Sequence, residues 1–171
     1  PGLKVGLVWA GNPRHANDRT RSLPLSLLSP LWTVHGVGFY SLQMGPAGAQ
    51  LAEAGAQEIH DLAPQLADFA LTAAATERLD LVISVDTAVA HLTGALGRPV
   101  WLLLPAVTDW RWLLERRDSP WYPTMRLFRQ QQPGDWTPVI ESVRRELAAL
   151  AARVSTSHPE PRPAQTHSAT G

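Results

Sequence analysis

The sequence predicts an α/β fold, a parallel sheet flanked by helices. Three observations carry that expectation. Short apolar runs such as "LKVGLVWAG", "DLVISVD" and "RPVWLLLP" alternate with segments of helical character. Those runs are nearly continuous in apolar residues, as strands covered on both faces must be. Polar or turn residues stand where they end, as at Gly11-Asn12-Pro13 and Asp86-Thr87.

Taken in order, Lys4 to Ala10 is a buried strand, followed by the arginine-rich loop "NPRHANDRTRS". Pro24 suits the first turn of a helix through "LPLSLLSPLW", which Pro30 shortens or kinks. "VGFYSLQ" is the next strand and "PAGAQLAEAG" the next helix, with Gly55 as its stop. "QEIHDL" is a short strand. "LADFALTAAATERL" is a helix capped by Asp68. The strand "DLVISVD" leads into the helix "TAVAHLTGALG", ended by Gly97. "RPVWLLLP" is a strand, "DWRWLLERR" a short helix, "TMRLFRQ" a last strand, and "WTPVIESVRRELAALAARV" the closing helix. Residues 1–153 form the expected domain. Residues 154–171, "VSTSHPEPRPAQTHSATG", are poor in apolar groups and read as a disordered tail.

Composition narrows the function classes. A chain of 171 residues, 44% hydrophobic, holds one domain with a real core. No apolar run approaches the roughly 18 residues of a membrane span. There are no cysteines, which removes disulfides and thiolate metal sites and suits a cytoplasmic location. A formal net charge of zero gives no case for general nucleic-acid binding. Pro1 opens almost directly into a strand, as expected for a piece of a longer chain.

Ligands of parallel sheets bind outside the carboxyl ends of the strands. Asp86 and Thr87 lie at such an end, where a helix begins. Its first amides are unpaired and seat anions well, and Ala88 is small enough for close approach. Val89, Leu92 and Leu96 form a stripe expected to face the sheet, which leaves His91 toward the crevice edge. The plain alternative is that Asp86 is only a helix cap. Asn12, Arg14, His15, Asn17, Arg19 and Arg21 form a polar loop at the same edge of the first strand. Asp109 caps the short helix. Trp112 packs in the core, while Trp110 is free to stack on a ligand at the cleft. Trp121, Tyr122 and Trp136 read as structural. No HExxH, CxxC or acidic cluster indicates a metal.

The ordered stretch "SVDTAVAHLTGALGRPVWLLL" resembles the nucleotide-sugar-binding segment of the heptosyltransferase-like glycosyltransferases (family 9). These have the GT-B architecture of two facing Rossmann-like domains. The stretch "DWRWLLERRDSPWYP" resembles the version that follows tetratricopeptide repeats in bacterial proteins. The resemblance implies a Rossmann-like, donor-binding carboxyl-terminal half of a GT-B enzyme. Its partners would be a nucleotide sugar and an amino-terminal repeat or Rossmann-like domain, with no cofactor and no metal. Asp86 would meet the sugar, and Thr87, Ala88 and His91 the diphosphate. Arg21 would stand where the family has a lysine, as the catalytic cation against leaving-group charge. Gln43 would lie near the ribose, with Asn12, Asp109 and Trp110 completing the donor site. The fragment alone would bind nucleotide without turnover, because the base for the acceptor belongs to the missing half. The competing readings are a nucleotide-sugar epimerase and a non-catalytic nucleotide-binding or interaction module. The motif GxGxxG of dinucleotide-dependent oxidoreductases is absent after the first strand.

Overall fold

The structure is a computed structural model that describes residues 2–53 and 59–157. Strands β1 (Leu3–Val8), β2 (Val37–Ser41), β3 (Ile59–Asp61), β4 (Leu81–Val85), β5 (Val100–Leu104) and β6 (Met125–Arg129) form one sheet, all parallel, in the order β3-β2-β1-β4-β5-β6. This is the Rossmann-like arrangement. The strand order reverses between β1 and β4, where a crevice opens at the carboxyl edge. All five residues of β4 and all five of β5 are buried, which explains their unbroken apolar runs.

One face of the sheet carries the larger core. There α5 (Thr137–Ser157) places Val139, Ile140, Val143 and Leu147 against Leu7, Leu81 and Ile83, together with Leu25, Leu28 and Leu31. The last three belong to a 3-10 helix, Leu25–Thr33, where an α-helix was expected. Their spacing of three residues matches three residues per turn, and Pro30 cannot donate to an α-helical ladder.

The opposite face is covered by α3 (Phe69–Glu77) and α4 (Ala88–Ala95). Asp68 caps α3, accepting from the Leu71 amide at 2.8 Å. The expected stripe on α4 is met at Val89, which packs against the cluster of Val8, Leu42 and Val82, but not at Leu96, 39% exposed; the fully buried residues of α4 are Ala90, Thr93 and Gly94. Small residues let α4 lie close against the sheet and its neighbours. A Cβ on Gly94 would stand 2.8 Å from Cγ of Tyr122.

Other expected helices are shorter. "PAGAQLAE" is a 3-10 turn (Pro46–Ala49) followed by α2 (Gln50–Glu53), and the proposed stop at Gly55 lies outside the described residues. "DWRWLLERR" contributes only the 3-10 turn Trp110–Trp112. The last helix runs through Ser157, past the expected boundary at 153, and the rest of the predicted tail lies outside the described residues. No described helix is long and apolar enough to cross a membrane.

Candidate functional site

The polar loop after β1 and the start of α4 meet, as the strand order requires of β1 and β4. Arg21 closes α1 (Asp18–Arg21), a single turn. Its Nε faces Asp18 Oδ1 at 3.4 Å, and its Nη1 donates to the backbone carbonyl of Asp86 at 3.0 Å. The guanidinium lies over Gly11, where a Cβ would stand 2.6 Å from Nη2. Ser22 fastens the loop, donating to Asp18 at 2.9 Å and accepting from the Gly11 amide at 2.9 Å.

Thr87, not Asp86, occupies the N-cap position of α4, and its side chain makes no capping bond. Its hydroxyl lies 3.0 Å from that of Ser84, which donates to the Val85 carbonyl at 2.7 Å. The first-turn amides of α4 therefore have no side-chain cap, and their positive end faces the crevice.

Asp86 is not the cap of the plain alternative. Its carboxylate turns toward the β5 side, where Oδ2 accepts from Trp112 Nε1 at 3.0 Å and Oδ1 lies 3.3 Å from His91 Nε2. His91 Nδ1 pairs with the Tyr122 hydroxyl at 3.0 Å, and the imidazole stacks on Trp112 with ring centroids 5.3 Å apart. Burial by itself raises the pKa of the Asp86 carboxyl. The hydrogen bonds from His91 and Trp112, with the nearby His91 and Arg21, outweigh that and hold it below its ordinary value. Both ring nitrogens of His91 are engaged inside this cluster. A phosphate contact from His91 would have to displace Asp86 or Tyr122.

Trp112 is held by its own backbone. Arg129 Nη2 donates to its carbonyl at 3.0 Å and also to that of Leu113, the one described non-glycine residue with positive φ, at 45°. That grip turns the chain sharply after Trp112 and fixes the indole under Asp86.

Two crevices flank Arg21, Thr87 and Ala88, each of about 800 Å³. The first opens over β4, β5 and β6 and is lined by charged groups that include Arg19, Arg111, Asp86 and Asp109. The second opens over β1 and β2 and is the more apolar, with Leu42, Met44, Leu66 and Phe69 in its wall beside Arg14 and Asp68. Asn12 and Gln43 line this second crevice. Asn12 Oδ1 accepts from the Arg14 amide at 3.0 Å. Gln43 is 2% exposed and uses all four hydrogen-bonding positions on the main chain: Oε1 accepts from Trp9 and Ala10, and Nε2 donates to Ala10 and Met44.

Asp109 caps its turn, accepting from the Arg111 amide at 3.0 Å, and pairs with the Arg111 guanidinium at 3.2 Å. Trp110 is 70% exposed outside the crevice lining, edge-on to Trp121 with centroids 6.3 Å apart. Trp121, expected to be structural, is itself 56% exposed. Trp112 and Trp136 are buried as expected.

Two members of this edge escaped the sequence reading. Tyr122 packs against the core as expected, but it also meets His91; its signal is Gly94, a glycine inside a helix. Gln130 ends the β6 run as Gln43 ends the β2 run. It lines the charged crevice, and its Nε2 is buried without a partner. Among the described residues, no group of three or more His, Asp or Glu is placed to hold a metal ion.

No family model matches the chain. It is similar to Protein FlbA of Caulobacter vibrioides, with 35% identity over 160 residues, which is 89% of this chain and 26% of FlbA. The chain thus spans about a quarter of the length of that relative. The finding overturns the resemblance drawn from "SVDTAVAHLTGALGRPVWLLL". The relative is not named as a glycosyltransferase, and no match supports family 9, a tetratricopeptide-associated transferase or a nucleotide-sugar donor site. What stands is a Rossmann-like chain, alike in sequence to one segment of FlbA, with a cation and an uncapped helix start at its strand-order reversal.

Proposed function

We propose that this chain is a binding module for a small molecule that presents a phosphate-like anion to Arg21 and the first turn of α4. The observation that carries the reading is the placement of Arg21. It reaches from the β1 loop to the Asp86 carbonyl and lines both crevices. Asp18 fixes the guanidinium from behind and leaves further N–H groups for a ligand. Beside it, the amides of α4 meet no capping side chain, and Ala88 leaves room for an anion to come close. An arginine against a phosphate can donate two parallel hydrogen bonds, and a crevice wall shields that pairing from water.

The test is calorimetric titration with inorganic pyrophosphate at low salt, where screening is weakest. A charge-assisted hydrogen bond contributes roughly 1.5–3 kcal/mol. Arg21→Ala should therefore weaken binding roughly ten- to a hundredfold. A wild-type chain that binds no pyrophosphate, or a folded Arg21→Ala variant with unchanged affinity, would sink the reading.

A further inference from the structure

Gln130 is 3% exposed and stands at the end of β6 in the wall of the charged crevice. Its Oε1 accepts from the Ala106 amide at 3.3 Å and the Gly134 amide at 3.2 Å. Those two donors set the orientation of the group, because a flipped amide would point N–H at N–H. The nitrogen is thereby fixed, buried and without an acceptor. A buried amide donor left unpaired is costly, and most are satisfied by protein or water. Gln43 is the natural control. It has the same residue type at the end of another strand of the same sheet, and every one of its positions is filled by main chain.

We propose that Gln130 is a specificity-determining residue of this crevice, its Nε2–H donating to a neutral oxygen of the bound molecule. The inference rests on the anion-site reading above and deepens it. The ligand would be a phosphate ester that also carries hydroxyl or carbonyl oxygens, with its anion at Arg21 and a neutral acceptor at Gln130. Both residues line the same cavity of about 850 Å³, which exceeds what a bare phosphate fills.

Two probes separate the two ends. Inorganic pyrophosphate offers the anion alone, and ribose 5-phosphate offers an anion with neutral oxygens. Gln130→Met removes the donor without adding a charge that would repel either probe. The expected result is that ribose 5-phosphate weakens about tenfold, the worth of one hydrogen bond to a buried donor, while pyrophosphate changes less than twofold. Equal affinities for wild type and variant would overturn the proposal and leave the anion site standing. A parallel loss for both probes would do the same, since Gln130 would then only staple the loops at Ala106 and Gly134. Wild-type chain that binds neither probe would overturn both readings together. If Gln130→Met does not fold, the wild-type side-chain amide decides the matter by NMR. Its Nε2 protons should move downfield with ribose 5-phosphate and stay in place with pyrophosphate; no movement with either probe overturns the proposal.

Discussion

The two crevices meet at Arg21, Thr87 and Ala88, yet opposite means build their walls. Over β1 and β2, the buried amide of Gln43 is saturated by main chain, and the surface left to a ligand is mostly apolar, with Arg14 and Asp68 beside it. Over β4 to β6, side chains from distant segments are bonded to one another: Asp86 to His91 and Trp112, His91 to Tyr122. Buried donors are left over there, among them Gln130 Nε2 in the crevice wall and Arg129 Nη1 on the residue that holds Trp112. The carboxyl-edge rule places both crevices equally well. It does not say which is chemically finished; only the accounting of hydrogen bonds does.

The largest contrast is expected from two aromatics, one behind the charged wall and one in the apolar wall. Trp112 is fully buried, and its indole N–H meets Asp86. Trp112→Ala should cost about 3–5 kcal/mol in urea unfolding, from the cavity and from an Asp86 oxygen left unmet. Phe69, in the wall of the apolar crevice, is 66% exposed. Phe69→Ala should stay within about 0.5 kcal/mol of wild type. Similar costs at the two positions would mean that the charged wall is no more rigid than the apolar one.

The two glutamines provide a second, smaller contrast. Gln43→Met leaves the Trp9 and Ala10 amides without acceptors, at about 1–3 kcal/mol for each group that water cannot reach. Gln130→Met strands the Ala106 and Gly134 amides but also removes an unpaired donor, so about 1 kcal/mol is expected. Thermal and urea unfolding of the two variants would show it. If Gln130→Met proves the costlier, its nitrogen has a partner in the folded protein after all.

Much of this edge was legible in the sequence because strand ends and turn chemistry are local. The strand that stops at Asp86, the Asp68 cap and the left-handed Gly97, with φ 67°, follow from neighbours within a few residues. The partners of Asp86 did not follow, because Trp112 and the Tyr122 that holds His91 come from a loop whose course no periodicity predicts. The face of α4 was misjudged for a related reason. Helical spacing of large apolar residues points to Val89, Leu92 and Leu96; Val89 does pack on the sheet, but the fully buried positions are Ala90, Thr93 and Gly94. With Tyr122 packed at Gly94, a Cβ there would stand 2.8 Å from the ring, so a larger residue does not fit at that position. The family resemblance failed differently: a motif of strand, polar pair and helix describes a way of building a Rossmann-like crevice, and that geometry does not name a ligand.

Asp86→Asn should have the smallest effect at neutral pH and the most informative one in acid. At neutral pH the new amide can still accept from Trp112. Its N–H can meet His91 Nε2 if the imidazole shifts its proton to Nδ1, which then donates to the Tyr122 hydroxyl. The cluster would survive uncharged, at a cost of about 1 kcal/mol for exchanging charged hydrogen bonds for neutral ones. The response to acid distinguishes the two proteins. The folded Asp86 carboxyl has a lower pKa than the unfolded one. The stability it contributes is therefore present above the ordinary carboxylate range and is lost as pH falls through the lower folded value. The wild-type stability curve should fall across that window, and the Asp86→Asn curve should be flatter there, so that the two converge in acid. Urea midpoints measured from neutral to acid pH would read this directly. Parallel curves would mean that Asp86 titrates alike in the folded and unfolded chain, and that the His91–Trp112 clasp does not favour its charged form.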